Sequence, residues 1–373
     1  MSVGDAVTAQ GMATRHRRSV KAIQAGIGEV NALLAKMIKP SKVKWGGFGT
    51  HALWYVRKLK ETSSWESGQL GTRTFEEKDP MDEATTPYCF ISETYGVSEK
   101  SIKTNRAAGN MKLYDIQKEN ARNAQNALYR ALAAACYSNG SDGQEPVGLA
   151  AIIADCYETT NNVTTAAVAK TYAGIALAAA SMSAYSAVYS TQGWSTEYWH
   201  PVALDQAECP VASGTALWST DAVKDLAWME HAMSRTADVS GTGEIIKPDM
   251  ALMNTDPWSA LMALLATSQT TYNVPLGTTD PVLAKFKTIR VGNLDVVYDE
   301  NVPNDTNSVE RVIVLDSDAF YIDSLNTKSE GLVEGQWKQD DPEVVGGVGV
   351  YKANLAIICK TPQAVGVFTG CDG

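Results

Sequence analysis

The sequence predicts an α+β fold, and three observations carry the prediction. Apolar residues recur at helical spacing from 110 to 137; two aromatic and β-branched runs, 53–60 and 85–101, flank a polar stretch; and most remaining strand signals fall after residue 250. With 373 residues, of which 45% are hydrophobic and 20% charged, the chain is long and apolar enough to bury one large core or two to three smaller ones.

Over residues 20–38, Ile23, Ile27, Val30, Leu33, Leu34 and Ile38 share one side of an expected amphipathic helix, which Pro40 stops. Trp45-Gly46-Gly47-Phe48-Gly49 then makes a joint. The run 53–60 (LWYVRKLK) reads as a strand by its aromatic and β-branched content. Residues 61–83 are polar and carry Gly68, Gly71 and Pro80, and 85–101 is a second extended run. Two strands with a long polar tip describe a projecting hairpin. An isolated hairpin is marginal in water, so this one gains most of its stability by lying on something else.

Asn110 caps the next element. Leu113, Ile116, Ala124, Leu128, Leu132 and Ala135 share one side; Lys112, Asp115, Glu119, Arg122, Asn123, Asn126 and Arg130 share the other; Asn139-Gly140 ends it. At ~1.5 Å per residue this is a rod of roughly 40 Å. Beyond Pro146-Val147-Gly148-Leu149, residues 165–187 form an alanine-rich helix candidate. Residues 188–220, with Trp194, Trp199 and Trp218 among Gly, Ser and Pro, read as an irregular insertion. Helices are expected over 221–235 and 256–266, the second capped by Thr255 with Pro257 in its first turn. Strands are expected at 250–253, 288–298 with a turn at Gly292-Asn293, 309–315, 319–325 and 344–359.

The net charge of −10 is unevenly spread. Residues 1–60 hold eleven Lys/Arg against two Asp/Glu, a balance of +9 that leaves −19 for the rest. The basic end reads either as an arm touching nucleic acid or acidic neighbours, or as a solvated basic helix. Its Arg15, Arg17 and Arg18 are not followed by an apolar stretch, so no secretory signal is expected, and no run is long and apolar enough to predict a membrane span. Six cysteines (Cys89, Cys136, Cys156, Cys209, Cys359, Cys371) have no ligand-like spacing and read as reduced thiols.

Signatures of catalysis are sparse. There is no G-x-S-x-G elbow, P-loop or H-E-x-x-H motif, and the four histidines (His16, His51, His200, His231) are far apart in sequence. Gly346-Gly347-Val348-Gly349 lies inside a β-rich run, where a phosphate loop is not expected. The paired acids Asp340-Asp341, Asp316-x-Asp318 and Glu76-Glu77 read as solvated turns or subunit contacts. Tryptophans in polar surroundings, Trp65 in SSWES and Trp337 in GQWKQ, fit either a contact with a partner chain or a local packing anchor.

The order of segments resembles the Hong Kong 97-like fold of tailed-bacteriophage major capsid proteins. His51-Ala52-Leu53-Trp54-Tyr55-Val56-Arg57 looks like the start of that family's extended loop, 97–106 like its exit into the spine helix, and 131–140 with Pro146-Val147-Gly148-Leu149 like the helix end and the turn that opens the axial domain. Leu252-Met253-Asn254-Thr255-Asp256-Pro257-Trp258 resembles its strand, turn and helix; 289–302 (IRVGNLDVVYDENV) its valine-rich segment; and Cys359-Lys360-Thr361-Pro362-Gln363-Ala364-Val365 its closing strand.

The resemblance implies an N-terminal arm over 1–50, an extended β-hairpin loop (E-loop) with its flanking strands over 51–105, the spine helix of a peripheral domain over 106–150, an axial-domain segment with an insertion over 151–220, and an axial α/β domain over 221–373 whose late strands return to the peripheral domain. It implies a non-enzymatic virion protein without cofactors or metals, assembled in the host cytoplasm into hexameric and pentameric capsomers around double-stranded DNA. Other implied partners are a portal, a separate scaffolding protein and decoration proteins. Candidate subunit contacts are Arg15, Arg17 and Arg18 on the arm and Trp65, Arg73, Phe75, Glu76, Glu77, Lys78 and Asp79 on the loop. The covalent crosslink of one branch is not implied, because Lys58, Lys60 and Lys78 match nothing distinctive. Alternatives are an encapsulin-like compartment shell, a Ser/His/Asp hydrolase and a surface adhesin.

Overall fold

The fold is taken from a computed structural model, which describes residues 31–39, 41–57, 81–98, 110–140, 143–153, 171–176, 202–205, 218–236, 246–268, 288–304, 310–339 and 346–371. Two sheets organise them. The first has six strands: β7 (Val202–Asp205), β8 (Met250–Met253), β9 (Thr288–Val291), β10 (Leu294–Tyr298), β11 (Arg311–Leu315) and β15 (Val365–Thr369), in the order β7-β15-β11-β8-β10-β9. β7 with β15 and β8 with β10 are parallel pairs; the remaining pairs are antiparallel.

The apolar runs of β8 and β11 follow from burial on both faces. Ala251, Met253, Val312, Val314 and Phe368 point to one core, shared with Leu226, Met229 and Met233 of helix α4 (Trp218–Thr236) and Leu261 and Leu265 of helix α5 (Thr255–Ser268). Their sequence neighbours Met250, Leu252, Ile313, Leu315 and Val367 point to the opposite core. Helix α4 starts a turn before the expected position because Trp218 is fully buried, its indole N–H donating to the Pro257 carbonyl at 2.9 Å. Asn254 rather than Thr255 opens α5: its side-chain oxygen accepts the Thr255 N–H at 2.7 Å and its carbonyl accepts the Trp258 N–H.

The second sheet orders β1 (Val43–Trp45), β12 (Phe320–Ser324), β14 (Gly346–Cys359) and β13 (Glu334–Gln339), with β4 (Cys89–Ser98) also paired to β14. The 14-residue β14 bridges the sheet, meeting β12 along one half and β4 and β13 along the other. Helix α2 (Asn110–Ala135) lies against β4 and β14, where Ala121 and Ala124 meet the stacked rings of Tyr95 and Tyr351, 5.5 Å apart. From Asn120 onward its buried and exposed positions follow the expected faces, and the short helix α3 (Leu149–Ile153) comes next in the chain.

Several expectations are corrected. A continuous helix over 20–38 is interrupted: Asn31 is extended and caps α1 (Ala32–Met37), accepting the Leu33 and Leu34 N–H groups at 2.8 and 3.1 Å. The second extended run divides at Tyr88, since β3 (Met81–Pro87) pairs with β2 (His51–Arg57) whereas β4 joins the sheet. Within the alanine-rich 165–187, residues 171–176 form a tight hairpin, β5 (Thr171–Tyr172) and β6 (Ile175–Ala176), turned by Ala173 and Gly174 at φ of 54° and 82°. Paired positive φ values suit a two-residue hairpin turn, and the hairpin buries Tyr172 and Ile175. Residues 202–205, within the expected insertion, are an edge strand of the six-stranded sheet. Strand β13 lies in a polar stretch for which no strand was expected. The rest of α1's arm, the loop tip at 58–80 and most of 154–217 lie outside the described residues.

Candidate assembly surfaces

The root of the hairpin is the best-defined surface feature. Strand β2 alternates: Ala52 and Trp54 are buried, whereas His51, Leu53 and Tyr55 are exposed. Across the register Ala84 pairs with Trp54, Thr86 with Ala52, Thr85 with Leu53 and Glu83 with Tyr55, so the ribbon has one inner and one outer face. Its inner face is held by the Trp54 ring, 6.4 Å from that of Tyr172, and its edge by the Thr85 N–H donating to the Ala173 carbonyl at 2.9 Å. Tyr172 in turn accepts the Cys359 N–H at 2.8 Å on its hydroxyl. The outer face leaves Leu53 46% and Tyr55 67% exposed.

Two phenylalanines stand beside this root. Phe48 is 90% and Phe90 69% exposed. The joint that presents Phe48 is pinned by Gly46 and Gly47, whose N–H groups donate to Asn326 and Ser324 carbonyls at 3.0 Å. Gly47 has no room for a side chain, because a Cβ there would overlap the Tyr88 hydroxyl. Burial and the neighbouring Asp323 push the Tyr88 phenol up to about 12.

The described part of the basic end is used within the subunit. Lys36, its side chain 5% exposed, pairs with Asp249 at 2.7 Å. Lys42 pairs with Asp318 at 2.8 Å and donates to the Ser317 hydroxyl at 3.1 Å; Lys44 lies 4.1 Å above the Tyr321 ring. Asn31 donates to the Ala133 carbonyl at 3.4 Å. Residues 31–47 therefore strap the end of α2, the start of β8 and strand β12 together. The candidate contacts Arg15, Arg17, Arg18, Trp65, Arg73, Phe75, Glu76, Glu77, Lys78 and Asp79 all lie outside the described residues. The exposed Phe48, Leu53, Tyr55 and Phe90 were not singled out; the period-two alternation of Ala52, Leu53, Trp54 and Tyr55 was the available signal.

Several of the chemical features noted in the sequence fall among the described residues, whereas Asp340-Asp341, Glu76-Glu77, Cys156, Cys209, His16 and His200 lie outside them. Asp316 accepts the Lys247 and Asp318 N–H groups at 2.9 Å, and burial raises its pKa; the hydrogen bond from Lys42 lowers that of Asp318. Gly346-Gly347-Val348-Gly349 is the start of β14, and the Tyr95 ring occupies the space a Cβ at Gly349 would need. Cys89, Cys136, Cys359 and Cys371 are buried free thiols. Burial raises the pKa of Cys136 and Cys359. His51 and His231 are exposed. Among the described residues no group of three or more His, Cys, Asp or Glu is placed to hold a metal ion, and no helix is long and apolar enough to cross a membrane.

This architecture recurs in solved structures. The capsid of an empty GTA particle, computed with C5 symmetry, superposes with a TM-score of 0.50 at 15% identity, covering 88% of this chain and 94% of that one. The capsid of the Myoviridae phage XM1 gives 0.48 at 10% identity over 87% of each chain. The holo-SrpI encapsulin complex from Synechococcus elongatus gives 0.46 at 10% identity, covering 88% of this chain and 85% of that one. No protein-family model matches the sequence, and no curated protein matches it either. The chain has the Hong Kong 97-like capsid fold.

Proposed function

We propose that this chain is a shell-forming protein, the major capsid protein of a tailed bacteriophage, which self-assembles through its extended loop, N-terminal arm and axial domain around double-stranded DNA. The observation that carries the reading, beside the fold, is the amphipathic ribbon. One face of β2–β3 is fixed to the subunit through Trp54 and Thr85, while the other presents Leu53 and Tyr55 to solvent. Exposed aromatic side chains on a rigid support are what a subunit contact needs. Heterologous contacts that close into rings would then build hexamers and pentamers.

The experiment is electron microscopy of the purified full chain beside a variant lacking residues 64–79. The full chain is expected to give closed shells, and the variant a soluble, folded subunit that gives none. Normal shells from the variant would remove the loop from the mechanism. Particles isolated from the native source that carry a cargo enzyme in place of DNA would identify an encapsulin-like compartment instead.

A further inference from the structure

One side chain fastens both ends of the ribbon to the second sheet. The chain enters the ribbon through residues 46–50 and leaves it at Tyr88, between the end of β3 and the start of β4. The Tyr88 N–H donates to the Thr50 carbonyl at 3.1 Å, which ties the exit to the entry. Its buried side chain turns back over the entry: the hydroxyl donates to the Asp323 carboxylate on β12 and fills the space beside Gly47. Lys44, the register partner of Asp323 on β1, attracts the same carboxylate. Further along, the ribbon is held at a second level, by Trp54 against Tyr172 and by the Thr85 N–H on the Ala173 carbonyl.

Two fixed points define a direction, and a ribbon that loses the one at its root is free to swing. Strands β2 and β3 have seven residues each, which at ~3.3 Å per residue makes the ribbon about 23 Å long, so a swing of about 10° carries its far end through about 4 Å. A hydrogen bond from a hydroxyl to a carboxylate is short and about twice as strong as a neutral one, which suits it to hold such a joint. We propose that Tyr88 is a positioning residue: through Asp323 and Gly47 it fixes the angle at which the ribbon leaves the subunit, and with it the place where Leu53 and Tyr55 meet the next copy. The next copy rests on the shell reading above; the angle does not. The rotation between copies decides how a heterologous contact closes, so releasing the angle spreads the particle diameter.

The test uses the full-length chain with spin labels on p-acetylphenylalanine replacing Tyr55 on the ribbon and Lys352 on β14, both exposed positions. Double electron–electron resonance reads the distance distribution on free subunits, and electron microscopy reads particle diameter on unlabelled, assembled samples. Y88F deletes only the hydroxyl, and G47A puts a methyl where the hydroxyl sits; each is expected to at least double the width of the distribution. D323A is expected to do the same, whereas D323N, which keeps an acceptor for the phenol, retains the wild-type width. Y137F is the control: it deletes the hydroxyl of a similarly buried tyrosine, bonded to Asp299 at 2.7 Å just beyond β10, and is expected to leave the width unchanged. Circular dichroism and elution volume establish that each variant folds, and the comparison of D323A with D323N decides the outcome if Y88F does not. The proposal is overturned if Y88F and D323A keep the wild-type width, if D323N widens it as much as D323A, or if Y137F widens it as well, which would make the effect a general softening. Assembled Y88F is expected to lose the single wild-type diameter; shells of unchanged diameter from subunits whose ribbons swing overturn the link between angle and contact. A wild-type chain whose narrow distribution is widened by Y88F, but which never assembles, retains the role of Tyr88 and loses the shell reading.

Discussion

Gly148 shows how a single residue fixes the end of the long helix. Its N–H donates to the Ser138 carbonyl at 2.9 Å, the Leu149 N–H donates to the Cys136 carbonyl at 2.8 Å, and a Cβ at Gly148 would lie 2.5 Å from the Ala135 and Cys136 carbonyl oxygens. Gly148→Ala is therefore expected to destabilise the subunit by about 1–3 kcal/mol or more, read by urea denaturation. The Lys36–Asp249 pair makes a sharper contrast. Asp249 also accepts the Ser317 N–H and hydroxyl at 2.7 Å, so Asp249→Ala removes three contacts and strands a buried ammonium, at a cost of about 3 kcal/mol. Lys36→Met replaces that cation with an apolar chain of similar length and is expected to cost under about 1 kcal/mol. Equal losses would remove the stranded charge from the account. Burial also raises the pKa of Asp299, whose carboxylate accepts the Tyr137 hydroxyl at 2.7 Å. A carboxyl with a raised folded pKa contributes stability fully below its unfolded value, about 4, and loses it as pH rises through the folded value. Asp299→Asn should flatten the fall in stability over that window, measured by urea titrations at stepped pH. The Pro-Val-Gly-Leu turn was legible as a motif; these polar pairs were not, because Lys36 and Asp249 are 213 residues apart.

At the scale of elements, strong periodicity was legible and tertiary pairing was not. Helix α2 was readable because its apolar period persists over 26 residues, and β8 and β11 because strands buried on both faces are continuously apolar. The hairpin at 171–176 was hidden by alanine, a strong helix former whose propensity gives way here to the burial of Tyr172. Strand β13 was hidden by its polar composition, EGQWKQ, which is tolerated at the edge of a sheet. The division at Tyr88 was hidden because both halves are extended and only their partners differ. The ribbon that results gives an element-scale prediction. Leu53→Ser with Tyr55→Ser alters only exposed positions, so subunit stability should change by less than about 1 kcal/mol for the pair, while the yield of sedimenting particles falls. A large loss of stability with normal assembly would assign the outer face to the subunit's own packing.

Across the whole molecule, the two sheets are joined by shared core residues and by the strap at 31–47, and the ribbon leaves them with its inner face held. The fold class was legible because the order of segments, rather than any one motif, carries it. The candidate contacts on the arm and loop tip came from the resemblance, with charge and a tryptophan in polar surroundings beside it, and they lie beyond the described residues. The central claim is that the ribbon reaches a neighbouring subunit, and a cryo-electron microscopy map of the assembled particle tests it most directly. The account predicts residues 58–80 lying on an adjacent copy, with Leu53 and Tyr55 covered at that contact. A closed shell in which this segment folds back on its own subunit, with both side chains still in solvent, would contradict it.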